Sequence, residues 1–286
     1  MLNSLQKLVV RSTDMQVSDR TPISSSVDPP ALRGGGGDPR RSALREVMLV
    51  FAAISAVTWL ISRFDTLPIL RTHLHLVVGT LFWVTAMRCA ERLPGGLTRY
   101  GLGLGGLFSD EPSPPSGGLL GAASELLRAL MRALPSFARE LAVTALVCAV
   151  VFPPFVLGFY LWHAPERAFE WVPQRDWPAY TLTQVLVIAL PEEALFRGYI
   201  QGRLQEAFPG RMRWLRVELS PSAWLLQAVM FGLLHFIVDL QPARLAVFFP
   251  ALLFGWLAAL RGGIGAAVLF HAACNLLSDL LVRGWL

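Results

Sequence analysis

The chain has 286 residues, 54% hydrophobic and only 16% charged, with a formal net charge of +5 and a mean hydropathy of +0.50. Soluble domains carry about 25% charged residues, so this balance excludes an ordinary soluble domain and predicts a polytopic membrane protein. The basic excess, mostly Arg, suits cytoplasmic loops and anionic headgroups, and with no nucleic-acid-binding motif beside it, nucleic acid is not an expected partner.

Residues 1–43 are polar, with Ser24 to Ser26, Pro29-Pro30 and Gly34 to Gly37. They read as a disordered tail and lack the basic start, apolar run and small-residue cleavage site of a signal peptide. A bilayer-spanning helix needs about 20 mostly apolar residues. The first candidate begins at 45–47 and ends at 62, closed by Arg63 and Asp65. The second covers 69–87, with Arg71, His73 and His75 at its interfacial start. Residues 93–118, rich in Gly, Pro and Ser, read as a loop. Residues 119–134 read as an amphipathic helix on the membrane surface, with Arg128 and Arg132 on its polar side. The third span covers 141–162, where Pro153-Pro154 predicts a kink or an early end. A Trp-containing loop, 163–178, suits an interface.

The fourth span, 179–200, carries Glu192, Glu193 and Arg197, and a basic loop with Arg203, Arg211, Arg213 and Arg216 follows. The fifth, 223–240, carries His235, and the sixth covers 245–260. Arg261-Gly262-Gly263 reads as a tight turn before the seventh, 264–282, with His271 and Asn275. The fold class is therefore all-α: a polytopic integral membrane helical bundle of about seven transmembrane helices around an intramembrane polar cavity, with six or eight spans as alternatives. Its regions are the tail 1–43, a part 44–139 with two spans, loop and surface helix, and a core 140–286. The Arg-rich segments fall on one side if the N-terminus is cytoplasmic. In that frame Glu192, Glu193 and His271 lie toward the cytoplasmic half and His235 deeper, toward the other side, unless the fifth span starts later or is tilted.

An ionisable group in a bilayer helix costs about 2.5–3.5 kcal/mol on insertion scales, so such groups mark function. Glu193 and Arg197 are spaced i, i+4 and share a helix face. Adjacent glutamates point in different directions, so one carboxylate can pair with Arg197 while the other takes a proton from water. Pro191 removes a backbone donor just before them and opens the helix where it faces a cavity. His235 is a second participant, holding a water or shuttling its proton. His271 and Asn275, again i, i+4, can donate to a carbonyl oxygen that becomes negative during attack, a role worth about 10²–10³ in rate per donor.

Each residue also has a plain structural reading: a histidine bonded to a backbone carbonyl, a Glu–Arg pair joining helices, an asparagine bridging two spans. Together those readings need a separate explanation for each of five polar residues. Cys89, Cys148 and Cys274 are scattered and form no disulfide or zinc-thiolate pattern. Cys274 lies between His271 and Asn275 as a candidate thiol nucleophile, although a free cysteine is ordinarily a small buried hydrophobe.

Pro-Glu-Glu-Ala-Leu-Phe-Arg-Gly (191–198), Phe-Gly-Leu-Leu-His (231–235) and His-Ala-Ala-Cys-Asn (271–275) resemble the EExxxR, FxxxH and HxxxN motifs of the CAAX-protease and bacteriocin-processing (CPBP) family. That family of intramembrane endopeptidases includes the Ras-converting CAAX proteases. The motifs occur in order, and the likeness covers about 140–286. The resemblance implies an all-helical core around a conical cavity and peptide-bond hydrolysis by a metal-free glutamate mechanism, as in C-terminal processing or sorting. Glu192 would activate the water with help from His235, and Glu193 and Arg197 would orient them. His271 and Asn275 would form the oxyanion site, and Phe231 would shape the substrate-binding cavity.

No cofactor is expected. No HExxH stands on one helix, and zinc held by Glu192, His235 and His271 is the open alternative. The expected partners are the lipid bilayer and a protein or peptide substrate, in the bacterial inner membrane, and the oligomeric state is not encoded in any recognisable pattern. A proton-coupled carrier is one rival reading, and would call for internal repeats, of which none is visible. A non-catalytic scaffold or immunity protein of the same fold is the other, and would be favoured by a missing motif residue, whereas all are present.

Overall fold

The computed structural model describes residues 38–64, 68–104, 118–215 and 217–286. Most of the polar tail expected for 1–43 lies outside the described residues. Its last part does not: Asp38 caps helix α1 (Pro39–Ser62), its Oδ1 accepting from the Arg40 backbone N–H at 3.0 Å. Pro39 fits the first turn, where no backbone donor is needed. Helix α2 (Pro68–Glu91) follows, then a single turn, α3 (Gly96–Arg99), entered through Gly95 at φ 85°. The stretch 93–104 is more than a surface loop, because Leu97, Tyr100 and Leu102 are buried in the core.

The expected surface helix and third span are one unbroken helix, α4 (Gly118–His163), with Pro135, Pro153 and Pro154 inside it. At about 1.5 Å per residue its 46 residues far exceed the roughly 30 Å of a bilayer core. Glu140 fixes its level: the carboxylate takes a bidentate pair from Arg261 at 2.9–3.1 Å. Residues 118–139 precede that anchor, with Leu126, Leu127, Met131 and Phe137 exposed.

A continuous helical stretch from 177 to 207 forms the centre. It is assembled from α5 (Trp177–Leu182), a π-helical segment (Thr183–Ala189), one α turn, α6 (Leu190–Glu193), a second π-helical segment (Ala194–Ile200) and α7 (Gln201–Ala207). The proline at 191 lies in the α turn between the two widened segments. The expected basic loop after this helix holds a small antiparallel hairpin, β1 (Met212–Trp214) with β2 (Val217–Leu219), in the register Met212–Leu219, Arg213–Glu218 and Trp214–Val217. Helix α8 (Pro221–Asp239) is capped by the Ser220 hydroxyl. A 3₁₀ segment (Pro242–Val247) leads into α9 (Phe248–Arg261), Gly262 ends it at φ 67°, and α10 (Gly265–Trp285) closes the described chain.

Among the described residues, five helical stretches are long and apolar enough to cross a membrane: Pro39–Ser62, Gly121–His163, Pro221–Asp239, Pro242–Arg261 and Gly265–Trp285. The architecture is that of a polytopic helical membrane bundle. The other two expected spans are helical, α2 and the central 177–207 stretch. Around the central helix pack α1, α2, α8, α9 and α10, while α4 packs on α10. Close approach of α2 is possible at Gly79, where a Cβ would collide with the Val187 carbonyl and press on Pro191.

Polar contacts gather one end of the bundle. Glu46 near the start of α1 accepts from Tyr199 Oη (2.8 Å) and from Arg203 Nε and Nη2 (3.0 and 2.8 Å). Arg203 also pairs with Glu206, which accepts from Tyr100 Oη at 2.9 Å and pairs with Arg99 at 3.0 Å. Burial, and then the Glu206 charge, push the Tyr100 hydroxyl well above the ordinary tyrosine range, so it remains a donor. The opposite end is tied by Arg63 Nη2, which donates to the Val238 carbonyl at 2.6 Å.

Candidate active site

The central helix supplies the acids. Glu192 and Glu193 occupy the α turn between the π-helical segments, which is the kind of irregularity often found at functional sites. Glu193 is sealed: it and Arg197 have no side-chain exposure, and Arg197 Nη1 donates to Glu193 Oε1 at 3.0 Å. The guanidinium also donates to the Ala251 carbonyl (3.4 Å) and lies 4.3 Å from the Phe231 ring centre and 5.0 Å from that of Phe254. A buried ion pair needs such additional contacts to offset its desolvation.

Glu193 Oε1 accepts a second hydrogen bond, from His271 Nδ1 at 2.7 Å. His235 Nδ1 faces the Phe231 carbonyl at 2.9 Å. A carbonyl only accepts, so His235 carries its proton on Nδ1, and a carboxylate already bound by Arg197 demands the same of His271. The neutral form of each ring therefore presents an Nε2 lone pair. Both lone pairs converge on one atom, Glu192 Oε2, at 4.0 Å from His235 and 3.8 Å from His271. That oxygen has no hydrogen-bond partner within the protein. The separations are too long for direct hydrogen bonds and suit one small polar group between three acceptors.

Access is unequal. The side chains of Glu192 and His235 are 17% and 25% exposed, whereas those of His271 and Glu193 are 6% and 0%. Phe231 is buried, edge-on to His271 with ring centres 5.9 Å apart and 4.5 Å from His235. The rings are held from both sides, since Phe254 stacks on His271 at 4.7 Å and 13°. Asn275 does not meet the carboxylates: its Nδ2 donates to Gln184 Oε1 at 3.0 Å. Cys274 is a free, partly buried thiol packed against the apolar cluster that includes Phe254 and Phe270.

The expected depth difference between Glu192 and His235 is absent. The fourth helix runs to Ala207 and not 200, and the fifth begins at Pro221. Glu192 then lies fifteen residues before one helix end and His235 fourteen residues after the next start, roughly 20 Å along each axis. Antiparallel neighbours joined at that end place the two at one level. Sequence reasoning missed Gln184 and Phe254. Gln184 had a signal, a lone amide in the apolar run before Glu192. Phe254 had none, being one more apolar residue in an apolar helix.

Residues 174–277 match the family model described as type II CAAX prenyl endopeptidase, Rce1-like. The likeness to that family extends over 104 of the 286 residues. The matched stretch contains every residue of the site just described, from Gln184 to Asn275. No curated protein and no solved structure matches the chain. Helices α1, α2 and α4 lie outside the matched stretch, yet α2 packs on the central helix at the turn that carries Glu192 and Glu193. The matched stretch thus packs against elements that the family model does not cover.

Proposed function

We propose that the protein is an intramembrane endopeptidase that hydrolyses a peptide bond of a membrane-associated protein or peptide with a water activated by Glu192. The observation that carries this reading is the convergence of the two imidazole Nε2 atoms on the unpartnered Glu192 Oε2. A water at that point donates one hydrogen to Glu192 and is oriented by His235. Glu192 takes the proton as the oxygen attacks the scissile carbonyl. The carbonyl oxygen becomes negative, and the Asn275 amide, with His271 in its protonated form, stabilises it. Glu193 and Arg197 hold His271 in register. The proton on Glu192 then passes to the leaving nitrogen as the carbon–nitrogen bond breaks, which returns the carboxylate. Phe231 walls the reacting space between the two imidazoles.

Glu192, His235 and His271 are also the donor set that zinc would require. Among the described residues, however, no group of three or more His, Cys, Asp or Glu stands in metal-holding geometry, and every step above is assigned to side chains. The chain would span the membrane seven times, α2 and the central helix included. The end where Glu46, Arg203 and Tyr100 meet also carries Arg40, Arg41, Arg88 and Arg92, and that arginine-rich end would be cytoplasmic, in a bacterial inner membrane.

The test is a comparison of protein termini in membranes of cells lacking the gene, complemented with wild type or Glu192→Gln. One or more membrane-associated proteins should remain uncleaved with Glu192→Gln and be trimmed with wild type. Equal trimming by both would overturn the assignment.

A further inference from the structure

The oxyanion donor assigned above is held by a residue that lies outside all three motifs. Gln184 is buried, at 7% exposure, in the π-helical segment before the catalytic turn. Its Oε1 accepts from Asn275 Nδ2 at 3.0 Å. An asparagine amide left to itself rotates over a broad range about its terminal torsion and can present oxygen or nitrogen to the site. An acceptor fixed beside it removes that freedom, because only the nitrogen can face Gln184 Oε1.

Tyr180 precedes Gln184 by one turn on the central helix, and Asp279 follows Asn275 by one turn on α10. Asp279 is anchored by Arg283 Nε at 2.9 Å. Residues 275, 279 and 283 are spaced i, i+4, i+8 on α10 and face 180 and 184 on the central helix.

We infer that Gln184 is a positioning residue for the proposed hydrolysis: it holds the Asn275 amide nitrogen-inward so that the second N–H faces the reacting carbonyl oxygen. This rests on the endopeptidase reading, and the experiment separates the two. The chain has two asparagines, Asn3 and Asn275. Selective ¹⁵N-asparagine labelling of the full-length protein in nanodiscs therefore yields two side-chain amide pairs, assigned with Asn3→Ser.

Gln184→Met keeps the volume and removes the acceptor, and it should move the Asn275 pair toward the position of a free amide. Gln184→Glu keeps an acceptor and should leave it shifted. Gln184→Glu also decides the question if the methionine variant does not fold. An Asn275 signal unmoved in Gln184→Met, or lost in Gln184→Glu, would overturn the inference.

Cleavage is read with two quenched fluorogenic peptides ending in a CAAX-type sequence, one farnesylated and one not. Gln184→Met should lower kcat about tenfold with KM within about twofold, and Asn275→Ala about 10²-fold. Combined, they should be no slower than Asn275→Ala alone, whereas losses that multiply would assign Gln184 a separate role. Equal behaviour of wild type and Glu192→Gln on both peptides would sink the endopeptidase reading, while the amide signals would still decide whether Gln184 sets Asn275.

Discussion

Arg197→Met is the sharpest test of the buried charge arrangement. Arg197 is enclosed by Glu193, the Ala251 carbonyl and the rings of Phe231 and Phe254. Methionine fills much of that space but leaves the Glu193 carboxylate buried with a neutral imidazole as its only remaining partner. Removing one member of a buried pair costs about 3–5 kcal/mol, a large share of a typical 5–15 kcal/mol of total stability. At about 2–4 °C per kcal/mol for a chain of this size, the melting point in detergent should fall by roughly 6–20 °C. Pairing the change with Glu193→Gln removes the orphaned charge and keeps an acceptor for His271, so the double variant should recover most of the loss. It should not recover cleavage, because the charge that stabilises a protonated His271 is gone. Both readings come from one preparation, by thermal scanning of intrinsic fluorescence and by cleavage of a membrane-protein substrate. An Arg197→Met protein that melts within about 2 °C of wild type would refute the reasoning, since the pair would then contribute nothing to the fold.

Two further outcomes are expected. Cys274→Ala should retain cleavage at close to the wild-type rate, because the attacking oxygen is assigned to water; an inactive, folded Cys274→Ala would restore the thiol as nucleophile. Tyr199→Phe removes a hydroxyl that donates to Glu46 at 2.8 Å, a hydrogen bond to a charged group worth about 1.5–3 kcal/mol. It should lower the melting point measurably while leaving KM unchanged, and an unaltered melt would show that Arg203 alone suffices to hold Glu46.

The site was legible to the extent that its chemistry sits in polar residues embedded in apolar helices. Glu192, His235 and His271 could be picked out because few other residues in those apolar stretches are ionisable, and the i, i+4 spacing of Glu193 and Arg197 is a local property of a helix. What the sequence did not carry was how separate helices align. The depth of His235 depended on two helix ends, Ala207 and Pro221, that sit in a polar, arginine-rich stretch where hydropathy marks no boundary. The widening into π-helical turns on both sides of Pro191 leaves no compositional trace, yet it sets the direction in which each glutamate points.

The fold shows the same division. Apolar length identified the spans, but the continuity of α4 through Pro135 and the burial of Tyr100 and Leu102 depend on partners far away in the chain. Asn275 marks the boundary best. Its type and its spacing from His271 were readable, whereas the glutamine that orients it lies 91 residues upstream. A polar residue inside a span therefore announces that it has a partner without saying which one. When that partner is an amide on another span, the pair decides whether a potential oxyanion donor is aimed or merely present.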